Sequence, residues 1–530
     1  MKIIPNFHVT LYGRHHLKQT MFKTVTAFCV ALLLPFIVRA QQLPKEGSLL
    51  NYRLIGFRFP AKPLCKYTLE IARGTHFTED SFDKKIIITQ PSAQNKLIAE
   101  VPQFGRDYTW RTVYTDAKKT ITKSALHHFS TRDFKGVDST LNRVRVIDTA
   151  VKYKDAYVFM EANRALYDMK GKPVWFLPVI DNITSEWVPV LDLQLTDQGT
   201  ATFLFDAIAG YEVDYNGKIV FKTPKKGKVN GDSIEYVHHE FKRLKNGHYM
   251  VIGSEIAQWD KSFVAANDST SLYFLLDNRR ANPINSAFQR VPFGTIIEYD
   301  RKGNVVWSWR SSKYFKGSDI FNHLVRGDVI DVSAHENSFY FDEKNKYIIT
   351  SFRDISRIIK ITYPEGKVMK VWGEPLKQGK QEAGNGVYCR QHGVKMTAKG
   401  EIILYNNNAC NFTGFPSVVM FDPNTSEDEV INKTWEYKCP IEGQTGTTQT
   451  QYQFTYGGNV LELPDGDIFV SMSTLYSRSF IVSRDKKLLW SAIPERWNKE
   501  TKLWENVFQF KASPVINHKD LEKFIWNQEE

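Results

Sequence analysis

The chain of 530 residues is 42% hydrophobic, 13% aromatic and 24% charged, which excludes a disordered or low-complexity protein and leaves room for more than one domain. Its formal net charge of +12 suits a nucleic acid, a membrane surface or a small anionic substrate. The lysines fall in short pairs near turn signals (Lys84-Lys85, Lys118-Lys119, Lys225-Lys226), the pattern of solvated faces, and no nucleic-acid-binding motif of the usual kinds accompanies them.

In chain order, residues 1–40 read as a signal peptide with Met21 as the expected start. "MFKTVTAFCVALLLPFIVRAQQ" (21–42) has a basic residue, an apolar run and a Val38-Arg39-Ala40 end before Gln41. The run from Val25 to Val38 is short for a bilayer span, and no later segment resembles a membrane helix. The expectation is secretion, with the mature chain in the periplasm. Residues 41–131 read as a small antiparallel β-sandwich, from short alternating strands such as "CKYTLEIARG" and "DYTWRTVYTDA". The last of these strands resemble those of a fibronectin-type-III-like module.

Residues 132–530 carry a repeat. A strand, a polar turn usually with Gly, and a strand often ending in Trp recur from "RALYDMKGKPVWF" and "GYEVDYNGKIVF" to "SFIVSRDKKLLWSA", six copies in all. A second hairpin precedes most copies, as in "LKNGHYMVIGS" and "TAKGEIILYNN", whereas the first copy shows only the strand "KDAYVFMEANR" before it. Two hairpins make a four-stranded sheet, so the predicted fold is all-β: a six-bladed β-propeller after the N-terminal β-sandwich domain.

In a propeller, equivalent positions on the innermost strands converge on one axis. The turn glycine serves as a ruler. His239 precedes Gly247 by eight residues and His392 precedes Gly400 by eight. His335 stands about ten before its turn, and Gly458 holds the same register in the next repeat, without a side chain. Three successive blades are therefore expected to present imidazoles at one level; His238 and His239 are not distinguished. By strand alternation Asn337 is expected on the same side as His335, and Arg353 falls at the far end of the next strand. Arg357 and Arg390 read as solvated. Neutral imidazole is a fair nucleophile, and a guanidinium beside it binds a tetrahedral oxyanion with forked hydrogen bonds. No nucleophile-elbow Ser, paired-carboxylate signature or phosphate loop competes with this theme.

The stretches "HHEFKRLKNGHYMVIGSE", "DVSAHENSFYFDEKNKYIITSFRDISRIIKI", "RQHGVKMTAKGEIILYNN" and "GGNVLELPDGDIFVSM" resemble the bacterial aryl-sulfate sulfotransferases, secreted enzymes that do not use the nucleotide sulfate donor. The resemblance implies sulfuryl transfer from a phenolic sulfate ester to a phenolic acceptor, by a ping-pong route through a sulfohistidine and without a cofactor. It implies His392 as nucleophile, with His239, His335, Asn337 and Arg353 binding the sulfuryl group and assisting proton transfer. Thr455 and Tyr456 match hydroxyl residues near the channel. Phe352 departs from a small residue in the family and is expected to reshape the pocket, and a homodimer is an expectation from the family. Trp259, Phe263, Phe288, Tyr314, Phe315 and Phe321 are candidates to wall a phenol site. Two other readings stand beside this one: a metalloenzyme with a metal held by the three histidines, and a non-catalytic propeller binding sulfated ligands or proteins. After removal of Cys29 four cysteines remain, Cys65, Cys389, Cys410 and Cys439, and one bridge is expected among the last three.

Overall fold

The structure is a computed structural model that describes residues 42–528 except 133–139, 150, 186–187, 225–227, 230–231, 234–235, 261–287, 316–333, 374–385, 409–414, 425–430, 441–456 and 474–476. The regular structure of the described residues is nearly all β, with two α-helices, Glu79–Asp83 and His518–Trp526.

The turns explain the repeat. In "YDMKGK", "DYNGK" and "YDRKGN" an Asp side chain closes the turn on its own backbone. Asp168 Oδ1 accepts the N–H groups of Lys170 and Lys172, Asp214 those of Asn216 and Lys218, and Asp300 those of Lys302 and Asn304, all at 2.8–2.9 Å. The glycine that follows takes φ of +81°, +83° and +84° at Gly171, Gly217 and Gly303, a conformation a Cβ disfavours.

These hairpins build antiparallel four-stranded sheets in chain order. One starts at Val190–Leu195, the next at Tyr236–Arg243, then at Glu336–Asp342 and at His392–Met396. A six-stranded sheet follows, starting at Asn459–Glu462. The middle strands are apolar on both faces because neighbouring sheets cover both: Ile402–Asn406 and Ser417–Phe421 are buried throughout, while the outer strand Lys433–Lys438 is largely exposed. The starting strands pack one against the next, Val190–Leu195 on Tyr236–Arg243, then Glu336–Asp342, His392–Met396 and Asn459–Glu462. This is a β-propeller arrangement, with those strands at its axis.

The closure supplies what the first repeat lacked in the sequence. The strand missing from the first repeat is Ala512–Val515, which pairs with Tyr157–Met160 and completes a four-stranded sheet with Ala165–Asp168 and Pro173–Phe176. It packs against Val190–Leu195 on one side and Ile468–Ser471 on the other, closing the ring. Asn142–Asp148, which precedes the first repeat in the chain, pairs with Leu488–Asn498 in the last sheet.

The N-terminal segment forms a six-stranded sheet over the two-stranded ribbon Leu54–Arg58 and Lys96–Glu100. It is not wholly antiparallel, since Ser48–Leu50 runs parallel to His127–Thr131. Phe57 from the ribbon meets Trp110 and Phe129 from the sheet at 5.2 and 6.0 Å between ring centroids. The segment is joined to the propeller by backbone, with Arg53 N–H on the Val174 carbonyl and Phe176 N–H on that of Asn51, both at 2.9 Å. Trp175 is fully buried at this junction, donates to the Tyr215 carbonyl at 2.8 Å and meets Phe524 of the C-terminal helix at a tilt, 5.6 Å between ring centroids. Truncating such a residue costs about 3–5 kcal/mol.

Candidate functional site

The three histidines of the ruler meet at one end of the axis. Each lies at an irregularity in its starting strand. Pairing slips between His238 and Phe241, between Glu336 and Ser338, and between His392 and Lys395. His239 and His335 take φ of +63° and +52°, and Gly393 takes +60° just after His392. Such bulges re-aim side chains that regular alternation would send elsewhere. The His239 ring lies 5.1 Å from that of His335 and 6.2 Å from that of His392, centroid to centroid. His238 supports it from behind: its Nε2 is 2.7 Å from Ser254 Oγ and its Nδ1 is 2.5 Å from His239 Nδ1. His239 is therefore the member of the pair that faces the other imidazoles.

The bulge also overturns the alternation argument for Asn337. Its side chain does not follow His335; it is fully buried and donates to the Gln391 carbonyl of the next sheet at 2.7 Å. At Gly458 the expected gap is filled, because a Cβ there would stand 2.1 Å from Cδ1 of Tyr405.

His392 is 1% exposed. Its Nδ1 lies 2.8 Å from the Asn407 amide, and its Nε2 accepts the Gly457 N–H at 3.3 Å. The same Asn407 amide donates to the carbonyls of Arg390 and Gly457. Asn407 was not singled out from the sequence, although the run Asn406-Asn407-Asn408 at a strand end was a visible signal.

Arg353 sits where the turn after Tyr347–Phe352 folds back on His335. Its N–H donates to the His335 carbonyl at 3.0 Å, and its guanidinium NH1 is 3.4 Å from His335 Nε2. Beside it lies Asp354, fully buried, with Arg353 Nε at 3.3 Å, Arg390 at 3.7 Å and His335 Nδ1 at 3.9 Å. Arg357 and Arg390, read as solvated, are in fact 3% and 4% exposed. Arg390 belongs to the charge cluster, while Arg357 lies over the Phe315 ring at 5.7 Å. Two guanidinium groups thus share the Asp354 carboxylate beside the imidazoles.

Burial dominates the titration of this cluster. It holds His392 well below the usual histidine range, with Arg353 and His335 adding to the effect. Burial, then His238, His335 and His392, does the same for His239. His238 is lowered to about 3 by burial and by His335. His238, His239 and His392 are therefore held neutral at pH 7.

Of the remaining candidates, Thr455, Tyr456, Phe263 and Phe321 lie outside the described residues, as do the side chains of Trp259 and Phe288. Phe352 and Phe315 pack together at 4.8 Å in the core between sheets, with Trp309 and Tyr314 beside them, so Phe352 fills the core. The aromatic ring that does reach the cluster is Phe510, 6.4 Å from His239. Cys65 and Cys439 are free thiols, Cys389 is disulfide-bonded, and Cys410 lies outside the described residues. Among the described residues no group of three or more His, Cys, Asp or Glu is arranged to hold a metal ion, and no helix is long and apolar enough to cross a membrane.

With this geometry in place, comparison with known proteins can be set beside it. Residues 273–477 match the model of the family Arylsulfotransferase (ASST). Over that span the chain is similar to the arylsulfotransferases. The matched span includes His335, Asn337, Arg353 and His392, while His239 precedes it. The resemblance read from the motifs is supported, and with it a sulfotransferase enzyme acting on small molecules. No curated protein matches the sequence. Among solved structures, the chain aligns with a protein of unknown function from Bacteroides caccae at 10% identity and a TM-score of 0.37, covering 71% of this chain and 100% of that one. It also aligns with a protein from Lactobacillus plantarum at 8% identity and a TM-score of 0.32, covering 85% and 99%, respectively. A periplasmic gluconolactonase of Pseudomonas aeruginosa aligns at 9% identity and a TM-score of 0.27, covering 85% and 100%. Nothing about substrate or site is drawn from likenesses this distant.

Proposed function

We propose that the protein is an aryl-sulfate sulfotransferase that moves a sulfuryl group from a phenolic sulfate ester to a phenol through a sulfated His392. The observation that carries the reading is the convergence of three imidazoles beside the positive charge of two buried guanidinium groups, Arg353 and Arg390. That charge suits the single negative charge of a sulfate monoester, and the reaction needs no redox partner. His392 Nε2 attacks sulfur, the bond from sulfur to the donor oxygen breaks, and the electron pair leaves with the phenolate. In the second half the acceptor phenol gives its proton to a neutral imidazole, His239 or His335. Its oxygen then attacks sulfur, and the N–S electron pair returns to His392. Arg353 and Arg390 stabilise the equatorial oxygens in both transition states. Attack from Nε2 requires the proton on Nδ1, where the Arg390 backbone carbonyl can receive it, and release of the Gly457 N–H from Nε2. The domain division at about residue 131, the periplasmic location after loss of residues 1–40, and Thr455 and Tyr456 as substrate contacts belong to the same reading.

The test uses 4-nitrophenyl sulfate and a phenol acceptor, with a chelator present throughout. Acceptor-dependent release of nitrophenol is expected, and donor alone should leave one SO3 group on the protein, detected by intact mass and mapped to His392. No turnover in folded protein would sink the reading in favour of a binding propeller, and activity restored only by added metal would favour a metal site.

The pH profile follows from the buried imidazoles. Protonation removes the attacking lone pair, so activity is lost as pH falls through the histidine pKa. That pKa is depressed, so kcat/KM for the donor is expected to stay flat between about pH 7 and pH 6, with the acid limb well below the free imidazole value of about 6.5. An acid limb centred near that free value would contradict it.

A further inference from the structure

Beneath the imidazoles the axis is crossed by a buried ion network that the reaction above does not use. Lys511 stands one residue before the closing strand Ala512–Val515, and its side chain is 4% exposed. An ammonium has three N–H donors, and three acceptors surround this one: Asp192 Oδ1 at 3.2 Å, Glu240 Oε1 at 3.1 Å and the His239 carbonyl at 3.1 Å. Glu240 ties the same point to two further sheets, accepting from Lys395 Nζ at 3.0 Å and from Phe339 N–H at 2.9 Å. The Lys511 backbone is fixed as well, its N–H on Glu161 Oε2 at 2.9 Å, while Glu161 Oε1 accepts from Leu193 N–H. Burial works against the Lys511 charge, but Asp192, Glu240 and Glu161 outweigh it and hold the ammonium charged.

The partner that gives this network a consequence is the His239 carbonyl. His239 holds φ of +63°, a left-handed conformation costly for a residue with a Cβ, which persists only where surrounding contacts over-determine it. That conformation turns the imidazole toward His335 and His392. We propose that Lys511 is a positioning residue: by holding the His239 carbonyl at the strand bulge, it sets the aim of the His239 ring within the imidazole cluster. The proposal deepens the sulfuryl-transfer reading and rests on it for its kinetic consequence.

The experiment is a double-mutant cycle on the full chain. Lys511→Met is expected to lower kcat for 4-nitrophenyl transfer by roughly 100-fold, the scale of a 1 Å misplacement, with little change in donor KM. In a His239→Ala background the same substitution should have almost no further effect. Equal losses in both backgrounds, or no loss in the first, would overturn the proposal. Because Lys511→Met strands buried carboxylates and can unfold the protein, Lys511→Met combined with Glu240→Gln removes one of them; full kcat in that folded variant would also overturn it. Ring signals of 15N-labelled histidine give a readout independent of turnover. The His239 signals should move in the combined variant while those of the distant His248 stay, and an unmoved His239 would refute the positioning role. If wild-type protein shows no sulfuryl transfer, the functional reading fails by itself and the ring signals alone decide this one.

Discussion

His392→Asn is expected to reduce transfer from 4-nitrophenyl sulfate by at least about 10⁴-fold, with folding intact. Removal of a covalent nucleophile alone costs about as much as removal of the whole catalytic set it works with, on the order of 10⁶-fold in the best-studied hydrolases. Asn is close in size and leaves the neighbouring Asn407 and Gly457 their polar surroundings, so the loss reports chemistry in a site that is almost fully closed to solvent. Donor alone should no longer leave an SO3 group on the variant. Residual transfer within about tenfold of wild type, or a persistent SO3 adduct elsewhere, would move the nucleophile away from His392.

Arg353→Lys is expected to cost about 10²–10³-fold in kcat, and Arg353→Met more. Lysine keeps a charge but loses the planar fork that matches two sulfuryl oxygens, and loss of one preorganised donor in a water-poor site has effects of this size. The Arg353 backbone N–H on the His335 carbonyl survives both substitutions, so the local fold keeps that tie. Arg353→Met also removes one of the two guanidinium groups beside Asp354, and with it one positive charge next to the imidazoles. A thermal melt separates this from unfolding. Wild-type kcat/KM in Arg353→Lys would remove the fork from the mechanism.

The turn ruler made the meeting of His239, His335 and His392 legible because it rests on local chemistry. Gly247, Gly400 and Gly466 take φ of +83°, +83° and +87° in equivalent turns, so the count back along each strand is comparable from sheet to sheet. At His335 the turn is longer and Lys346, with φ of +55°, stands in glycine's place, which is why the spacing there differs. Alternation failed where the count had to cross a bulge: Asn337 turns to the neighbouring sheet, since a slip in pairing reverses which face a side chain takes. Arg390 and Arg357 were misread because polarity alone places an arginine in water, whereas Asp354 and the Phe315 ring receive them inside.

From the sequence by itself came the all-β class, the propeller repeat and the ring of histidines, all consequences of short-range turn geometry and strand patterning repeated along the chain. The tertiary structure alone decided how the ring closes and what surrounds the imidazoles. Ala512–Val515 joins strands more than 300 residues earlier, Asp354 pairs with a guanidinium from the next sheet, and Lys511 reaches the His239 carbonyl 272 residues away. Such contacts leave no periodic trace. They depend on which sheets become neighbours around the axis, and only closure of the ring determines that.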